Sequence, residues 1–220
     1  MNICHLVCAG MFFPQYFRPD KDDFIIACDG GLKYLDDLGV TPDLVVGDFD
    51  SLGHKPETPA PVISLPAEKD DTDALFAAKE ALKRGYRYFI VHGALWGPRI
   101  SHSVASFALL SFLLDKEAKG CLYAKDTIAL LFDPGKFILP AVPGYISFFP
   151  YGGPCRITLS GVKYPYDGLL DYSMPLGISN EFARETAYLT VRGGRVICIL
   201  ESPAVDKYYA GITETNRLRY

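Results

Sequence analysis

Residues 88–114 read YFIVHGALWGPRISHSVASFALLSFLL, and this stretch decides the fold. Tyr88–Val91 is a short apolar run typical of a buried strand, and His92–Arg99 is a turn that contains two glycines. Ser101–Leu114 is strongly apolar and predicts a helix that is buried. A strand followed directly by a helix is the repeating element of an α/β protein with a parallel sheet.

The same alternation continues upstream of this stretch. Apolar runs at Ile3–Val7, Phe24–Cys28 and Leu44–Val46 predict further strands. Helices are predicted at Leu32–Leu38 and Asp71–Arg84, each followed by a glycine that favours helix termination. We therefore predict an N-terminal Rossmann-like parallel-sheet domain over residues 1–120.

Downstream of about residue 120 the pattern changes. Short β-rich runs are separated by Gly and Pro, and no helical period of useful length occurs. These runs are Ile128–Phe132, Tyr145–Phe149, Arg156–Leu159, Tyr188–Val191 and Arg195–Leu200. We predict a C-terminal β-sandwich domain over residues 121–220, so that the fold class is α/β followed by all-β.

Composition excludes several classes of protein. The 220 residues are 49% apolar and 22% charged, which argues against wholesale disorder, collagen and coiled coil. The formal charge of −4 argues against a nucleic-acid partner. None of the six cysteines forms a C-x-x-C pair, so we expect buried free thiols of a reducing compartment. We find no secretory signal and no apolar run long enough for a bilayer, and we expect a cytoplasmic protein without a membrane partner.

The first candidate site is the pair Asp48 and Asp50, which comes just after an apolar run. Both carboxylates can reach one point at the carboxyl end of a strand, where open α/β sheets bind ligands. Hard oxygen ligands of this kind suit Mg²⁺ that is also held by substrate phosphates. The alternative is a polar turn with helix-capping aspartates.

A second acidic run, Glu68–Asp73, opens the amphipathic helix. Helix capping explains one acidic or hydroxyl residue there, but not Asp70, Asp71 and Asp73 together, because their charges repel. A cation or a metal-bound polyphosphate would compensate for this repulsion. Together with Asp48 and Asp50, the run predicts a site for Mg²⁺ and polyphosphate at a helix N-terminus.

Three further segments offer polar groups to a ligand. The glycine-rich turn at residues 93–99 ends in Arg99, whose guanidinium can grip phosphate, and His102 can contact a base or a phosphate. Asp29 precedes two glycines at another strand-to-helix turn. Ser179 and Asn180 lie in a loop of the β-rich part. Each segment by itself is equally consistent with an ordinary turn or cap.

Taken together, these segments resemble the thiamine pyrophosphokinase family. The resemblance runs, in the family's order, through ACDGG (27–31), GVTPDLVVGDFDS (39–51), KDDTD (69–73), GPRISH (97–102), GVKYP (161–165) and ISNE (178–181). It implies a nucleotide-binding α/β domain, a β-sandwich that binds thiamine, and a homodimer. It also implies that ATP and thiamine, with Mg²⁺, give thiamine diphosphate and AMP.

The resemblance also implies roles for individual residues. Asp48, Asp50 and Asp73 would be catalytic and metal-binding, and Asp70 would be catalytic. ATP would be bound by Ser51, Lys69, Thr72, Arg99 and His102. Thiamine would be bound by Asp29, Ser179 and Asn180.

The chain departs from the family pattern around Arg99. The family's stretch is Gly-Gly-Arg-x-Asp-His, with an Asn four residues after the His. In this chain Pro98 replaces the second Gly, Ser101 replaces the Asp and Ser106 replaces the Asn. The aspartates expected to hold metal are intact, so we expect an active enzyme. Two alternatives stay open: a non-catalytic regulatory protein that binds nucleotide or thiamine, and another Mg²⁺-dependent transferase that uses a nucleotide donor.

Overall fold

The computed structural model describes residues 2–49, 56–66, 68, 70–97, 99–205 and 208. The chain divides into two compact units, Met1–Lys125 and Asp126–Tyr220, which we call the N-terminal unit and the C-terminal unit. Over the described residues, parallel and antiparallel strands are combined with few helices. In this part of the chain we find no helix long and apolar enough to cross a membrane.

The N-terminal unit is built on a parallel sheet. Its strands are β1 (Cys4–Val7), β2 (Phe24–Cys28), β3 (Leu44–Gly47), β4 (Val62–Ser64), β5 (Tyr88–His92) and β6 (Lys119–Ala124). They lie in the order β6-β5-β1-β2-β3-β4, and each pair of neighbours is parallel. The strand order reverses between β1 and β5. In open parallel sheets, ligands bind beyond the carboxyl ends of the strands at such a reversal.

Helices connect these strands. They are α1 (Gly31–Asp37), α2 (Asp73–Lys83) and α3 (Ile100–Asp115), with a short 3-10 helix at Pro14–Tyr16. The Thr72 side chain caps α2 by accepting a hydrogen bond of 3.2 Å from the Leu75 amide. The prediction that α3 is buried is wrong for its first turns, where Ile100 is 81% exposed. Only its second half, from Leu109, supplies fully buried side chains.

The C-terminal unit is antiparallel. Its strands are β7 (Thr127–Phe132), β8 (Gly135–Pro140), β9 (Tyr145–Ser160), β10 (Tyr166–Leu170) and β11 (Thr186–Glu201). β11 pairs with β9 along most of its length, with β8 through its first half and with β7 through its second half. β10 pairs with the second half of β9.

Two strands, β9 and β11, are longer than predicted, because the sequence analysis divides each of them into two separate runs. β9 continues through Gly152 and Gly153, and β11 continues through Gly193 and Gly194. The pairing of β9 with β11 shifts register on both sides of Gly193. The glycines therefore mark β-bulges inside a strand rather than loops between strands, and glycine tolerates the positive φ of +73° at both Gly152 and Gly194.

Candidate active site

A cleft of about 370 Å³ lies at the carboxyl end of the parallel sheet, within the N-terminal unit. Its floor comes from the segments after β1, β2, β3 and β5, and its walls come from the starts of α2 and α3. Six of the residues predicted from the sequence line it: Asp29, Asp48, Thr72, Asp73, Arg99 and His102. The cleft is thus at the reversal of strand order, where the fold favours a ligand.

Gly10 and Gly93 lie in the floor of the cleft at the reversal of strand order. The Gly10 amide donates a hydrogen bond of 2.8 Å to the Gly93 carbonyl oxygen. A side chain at Gly10 would clash with that oxygen, and a side chain at Gly93 would clash with the Cys8 carbonyl oxygen. Gly93 also has φ of +63°, which disfavours other residues. These glycines therefore allow the segments after β1 and β5 to approach each other closely at the floor of the cleft.

Three non-glycine residues at the strand ends have left-handed backbone conformations. Asp29, Phe49 and Trp96 follow β2, β3 and β5, with φ of 48°, 55° and 55°. Such conformations cost about 1–3 kcal/mol each and cluster at functional sites. The Asp29 amide is held in its turn by a hydrogen bond of 2.8 Å to the Val46 carbonyl oxygen. Two of the strained backbone conformations are thus found at or next to the candidate carboxylates Asp29 and Asp48.

The walls of the cleft present two helix N-termini. Asp73 is the first residue of α2, Arg99 immediately precedes α3, and His102 lies in the first turn of α3. The first amides of a helix have no partner within the helix, and the helix dipole is positive there, so both ends favour phosphate. The Ser106 hydroxyl fastens α3 to the turn after β5, since it donates to the carbonyl oxygens of His102 at 2.8 Å and Ala94 at 3.2 Å.

The acidic run divides by position. Asp73 lines the cleft, whereas both carboxylate oxygens of Asp71 accept hydrogen bonds of 2.7 Å from the Lys79 ammonium group. Asp70 is exposed and is outside the cleft lining. The structure thus brings one of these three carboxylates to the site. Three further predicted site residues, Asp50, Ser51 and Lys69, lie outside the described residues.

In the C-terminal unit, Asn180 is buried and its side-chain amide is bonded to backbone. Its oxygen accepts from the amides of Tyr164 at 3.0 Å and Glu181 at 2.9 Å, and its nitrogen donates to the Tyr164 carbonyl oxygen at 2.8 Å. Ser179 is exposed, has φ of 54°, and its amide donates to the Ser147 hydroxyl at 3.0 Å. These contacts make Asn180 a structural residue of the loop, and Ser179 is the more accessible of the two.

Sequence reasoning missed several residues of the cleft. Cys8 and Cys28 both line it, whereas the sequence analysis predicts only buried free thiols for the six cysteines. A signal existed, because Cys8 follows the apolar run Ile3–Val7, Cys28 ends the run Phe24–Cys28, and a parallel sheet places these two ends next to each other. Sequence reasoning also missed the buried pair His5 and His92, which lies outside the cleft lining. Their imidazole nitrogens lie 3.1 Å apart, and the second nitrogen of His5 lies 3.2 Å from the Asp23 carboxylate.

Burial determines the protonation of these histidines. It lowers the pKa of His5, although the Asp23 carboxylate acts in the opposite direction. Burial lowers the pKa of His92 further, and a charge on His5 adds to this effect. Both rings are therefore neutral near pH 7. In the neutral cluster, His5 donates to Asp23, and His92 donates to the nitrogen of His5 that remains an acceptor.

The donor set of the cleft fits a divalent cation that is shared with a polyphosphate. Asp48 and Asp73 both line the cleft, and their carboxylates are hard oxygen ligands. Among the described residues, no group of three or more acidic, His or Cys side chains converges as a metal site of its own. Magnesium commonly uses only one or two carboxylates and takes other ligands from water and substrate phosphates. The two carboxylates fit this mode of binding.

A parallel-sheet unit with carboxylates, an arginine and two helix N-termini around one cleft defines an α/β enzyme of the phosphate-transferring class. Residues 18–122 match the family model described as "Thiamin pyrophosphokinase, catalytic domain", and residues 139–196 match "Thiamin pyrophosphokinase, vitamin B1 binding domain". The chain belongs to the thiamine pyrophosphokinase family of diphosphotransferase enzymes. The resemblance found in the sequence is thereby confirmed.

Individual relatives agree with this assignment. The chain is 30% identical over 214 residues to the thiamine pyrophosphokinase of Bacillus subtilis, which covers 90% of this chain and 98% of the relative. A crystal structure of the Bacillus subtilis protein has a TM-score of 0.80 at 27% identity, covering 92% of this chain and 99% of that chain. A thiamin pyrophosphokinase family protein from Enterococcus faecalis has a TM-score of 0.79 at 28% identity, with the same coverage.

Proposed function

We propose that this protein transfers the pyrophosphoryl group of ATP to thiamine in the cleft of the N-terminal unit, giving thiamine diphosphate and AMP. The observation that carries the proposal is the convergence of Asp48, Asp73 and Arg99 at two helix N-termini, in a chain that matches both family models. Within this proposal, the first unit is the Rossmann-like nucleotide-binding catalytic domain, and the second is the thiamine-binding β-sandwich domain.

The cofactor in this proposal is Mg²⁺, held by Asp48 and Asp73, with Asp50 as the third carboxylate that the sequence predicts. When bound, the ion would neutralise the negative charge of the polyphosphate and make its β-phosphorus accessible to the thiamine hydroxyl. The amides at the start of α2, next to the Thr72 cap, and those at the start of α3 bind phosphate oxygens. Arg99 and His102 add contacts from the opposite wall. Ser51 and Lys69 are the other ATP-binding residues predicted from the sequence.

The reaction is a displacement at the β-phosphorus. The primary hydroxyl of thiamine forms the new O–P bond, the bond to the α,β-bridging oxygen breaks, and AMP leaves. Positioning and charge stabilisation dominate such a reaction, because a loose transition state needs little help from a base. Where a base acts, Asp73 is a better candidate than Asp70, since Asp73 lines the cleft and Asp70 is exposed. Arg99 stabilises charge that develops on the transferred group.

Thiamine binding is proposed for Asp29 in the N-terminal unit and for Ser179 and Asn180 in the C-terminal unit. Asp29 lines the cleft and can face the ligand directly, and Ser179 presents an exposed hydroxyl. Asn180 contributes by holding the loop that carries Ser179, given its bonds to the Tyr164 backbone. We also propose that the protein acts as a homodimer in the cytoplasm.

A mass-spectrometric assay with purified protein, ATP, thiamine and MgCl₂ tests this function. We expect thiamine diphosphate and AMP in equal amounts, and no product when the divalent ion is chelated. Inorganic phosphate and ADP in place of AMP would contradict pyrophosphoryl transfer. Calorimetric binding of nucleotide or thiamine without product would select the regulatory alternative, and turnover of a nucleotide sugar would select the other transferase.

A further inference from the structure

Two cysteines lie side by side on the floor of the cleft. β1 pairs with β2 in parallel, and the last pair in this register is Val7 with Ala27. Cys8 follows β1 directly and Cys28 is the last residue of β2, so the parallel register, continued by one residue, places the two opposite each other. Both residues line the cleft. Adjacent strands are about 4.8 Å apart, within the range of Cα separations that a disulfide spans.

The two thiols differ in access. Cys8 is partly exposed to the cleft, whereas Cys28 is 2% exposed. The hydrogen bond from Cys8 raises the pKa of the Cys28 thiol, and burial raises it further. An oxidant in the cleft thus meets Cys8 first, because Cys28 is almost completely buried. This order is the one that an attacking and a resolving cysteine require.

The other four cysteines lack these features. Cys4, Cys121, Cys155 and Cys198 are fully buried, and none of them lines the cleft. Burial raises the pKa of each of these thiols. They serve as internal controls for any reagent that reaches the floor of the cleft.

We propose that Cys8 and Cys28 form a reversible disulfide that closes the floor of the cleft and stops turnover. The bond would link the ends of β1 and β2, which lead directly into Gly10 and Asp29 in the cleft lining. The effect on turnover rests on the proposed function, whereas formation of the bond does not. In a reducing compartment such a bond is transient and serves redox sensing.

A small disulfide serves as the oxidant, and the exchange is balanced. The Cys8 thiolate attacks one sulfur of the reagent, forms a mixed disulfide and releases the first thiol. The Cys28 thiolate then attacks the Cys8 sulfur, forms the protein disulfide and releases the second thiol. Both cysteine protons end on the two released thiols, and the two electrons lost by the cysteines reduce the reagent.

Peptide mapping after treatment with oxidised glutathione tests the redox pair. Free thiols are alkylated, and the wild-type protein is digested without reductant. We expect a linked pair of peptides that contain Cys8 and Cys28, with the four control cysteines alkylated, and restoration of both thiols by dithiothreitol. Absence of this linked pair, or equal oxidation of the control cysteines, overturns the proposal.

The rate of AMP formation is then measured for each protein after oxidation and compared with the rate of the same protein in its reduced form. We expect AMP formation by the wild type to fall in proportion to the mapped disulfide, and Cys121→Ser to behave as the wild type does. Cys8→Ser should retain its own reduced activity after the same treatment. Cys28→Ala should instead accumulate the mixed disulfide between Cys8 and glutathione, because it lacks the resolving thiol. Unchanged turnover in a wild-type sample with the disulfide formed overturns the switch. If the reduced wild type makes no AMP at all, the proposed function fails, and mapping alone decides the redox pair.

Discussion

The cleft of the N-terminal unit and the loop that carries Ser179 and Asn180 look alike in sequence, but their polar groups differ in structure. In the cleft, carboxylates and cationic groups from separate segments line one cavity. In the loop, the Asn180 amide makes three hydrogen bonds to backbone. The comparison separates side chains from several segments that line one cavity from a side chain whose three hydrogen bonds hold its own loop. Polar residue types alone do not distinguish the two cases.

The same contrast occurs within one acidic run, and it gives the largest expected effect. Asp73→Asn should lower AMP formation on the order of a thousandfold, because it removes a charge from the proposed Mg²⁺–polyphosphate site. Asp71→Asn is the matched control, since Asp71 pairs with Lys79 at partly exposed positions. That pair contributes about 0.5 kcal/mol to stability, and its loss should leave turnover nearly unchanged.

Initial rates and thermal unfolding of the two variants check this expectation together. Both should unfold within a few degrees of the wild type, so that loss of activity in Asp73→Asn is not loss of folding. Equal activity of the two variants would remove Asp73 from the proposed catalytic machinery. A greater loss in Asp71→Asn would mean that the ion pair with Lys79 breaks when substrate binds.

The sequence predicts most of this site because parallel sheets gather their carboxyl ends at one edge. Asp29, Asp48 and Asp73 could be assigned to one cleft from the strands that precede them and from the cap of α2. What the sequence does not show is which acid of a run faces inward. Asp71 precedes α2 and forms an ion pair with Lys79, which lies eight residues later, within that helix. Such a pairing depends on side-chain directions that spacing alone does not define.

The fold was predicted less well where strands bend. Continuous strands through Gly152 and Gly194 were taken for separate runs, because glycine marks both turns and bulges. The exposed start of α3 was also missed. The helix is apolar on all sides because exposed positions such as Ile100 and Val104 are also apolar. Hydrophobicity alone therefore does not indicate which face of this helix is buried.

Asn180→Ala should give the second largest effect, and the effect should be on stability. It removes three hydrogen bonds around a buried group, so the free energy of unfolding should fall by about 2–3 kcal/mol. Ser179→Ala is its control, because the exposed Ser179 side chain can be shortened with little effect on folding. Urea unfolding measures the loss of stability, and the KM for thiamine shows whether either residue acts on the substrate. A stable Asn180→Ala variant with a raised KM would make Asn180 a ligand-binding residue instead.

The His5–His92 cluster predicts a smaller, pH-dependent effect. Both histidines have a lowered pKa in the folded protein, so below the ordinary value of about 6.5 the unfolded chain binds more protons than the folded one. Stability is therefore complete above that pH and declines as the pH falls, by at most about 1.4 kcal/mol per pH unit for each proton. Urea unfolding between about pH 8 and pH 5.5 should show this decline. His92→Phe should make the unfolding free energy depend less on pH, whereas His102→Gln, at an exposed position, should leave this dependence unchanged. Equal slopes in the wild type and both variants would exclude the histidine cluster as the source of the decline.

Ser101→Asp has the smallest expected effect and probes the edge of the cleft. The thiamine pyrophosphokinase pattern has an aspartate at this position. In this chain, Ser101 is exposed in the first turn of α3 and is outside the cleft lining. A carboxylate in the first turn interacts favourably with the helix dipole and should add about 0.3–1 kcal/mol to stability. Since the side chain does not line the cleft, AMP formation should change by less than about threefold, a difference below 1 kcal/mol in activation free energy. Ser103→Asp is the matched control, because Ser103 lies two residues further along α3 and lines the cleft. The added charge there would repel phosphate, so a strong loss of turnover in Ser103→Asp beside a nearly unchanged Ser101→Asp would show that Ser103 faces the site and Ser101 does not. Equal effects of the two substitutions would contradict this.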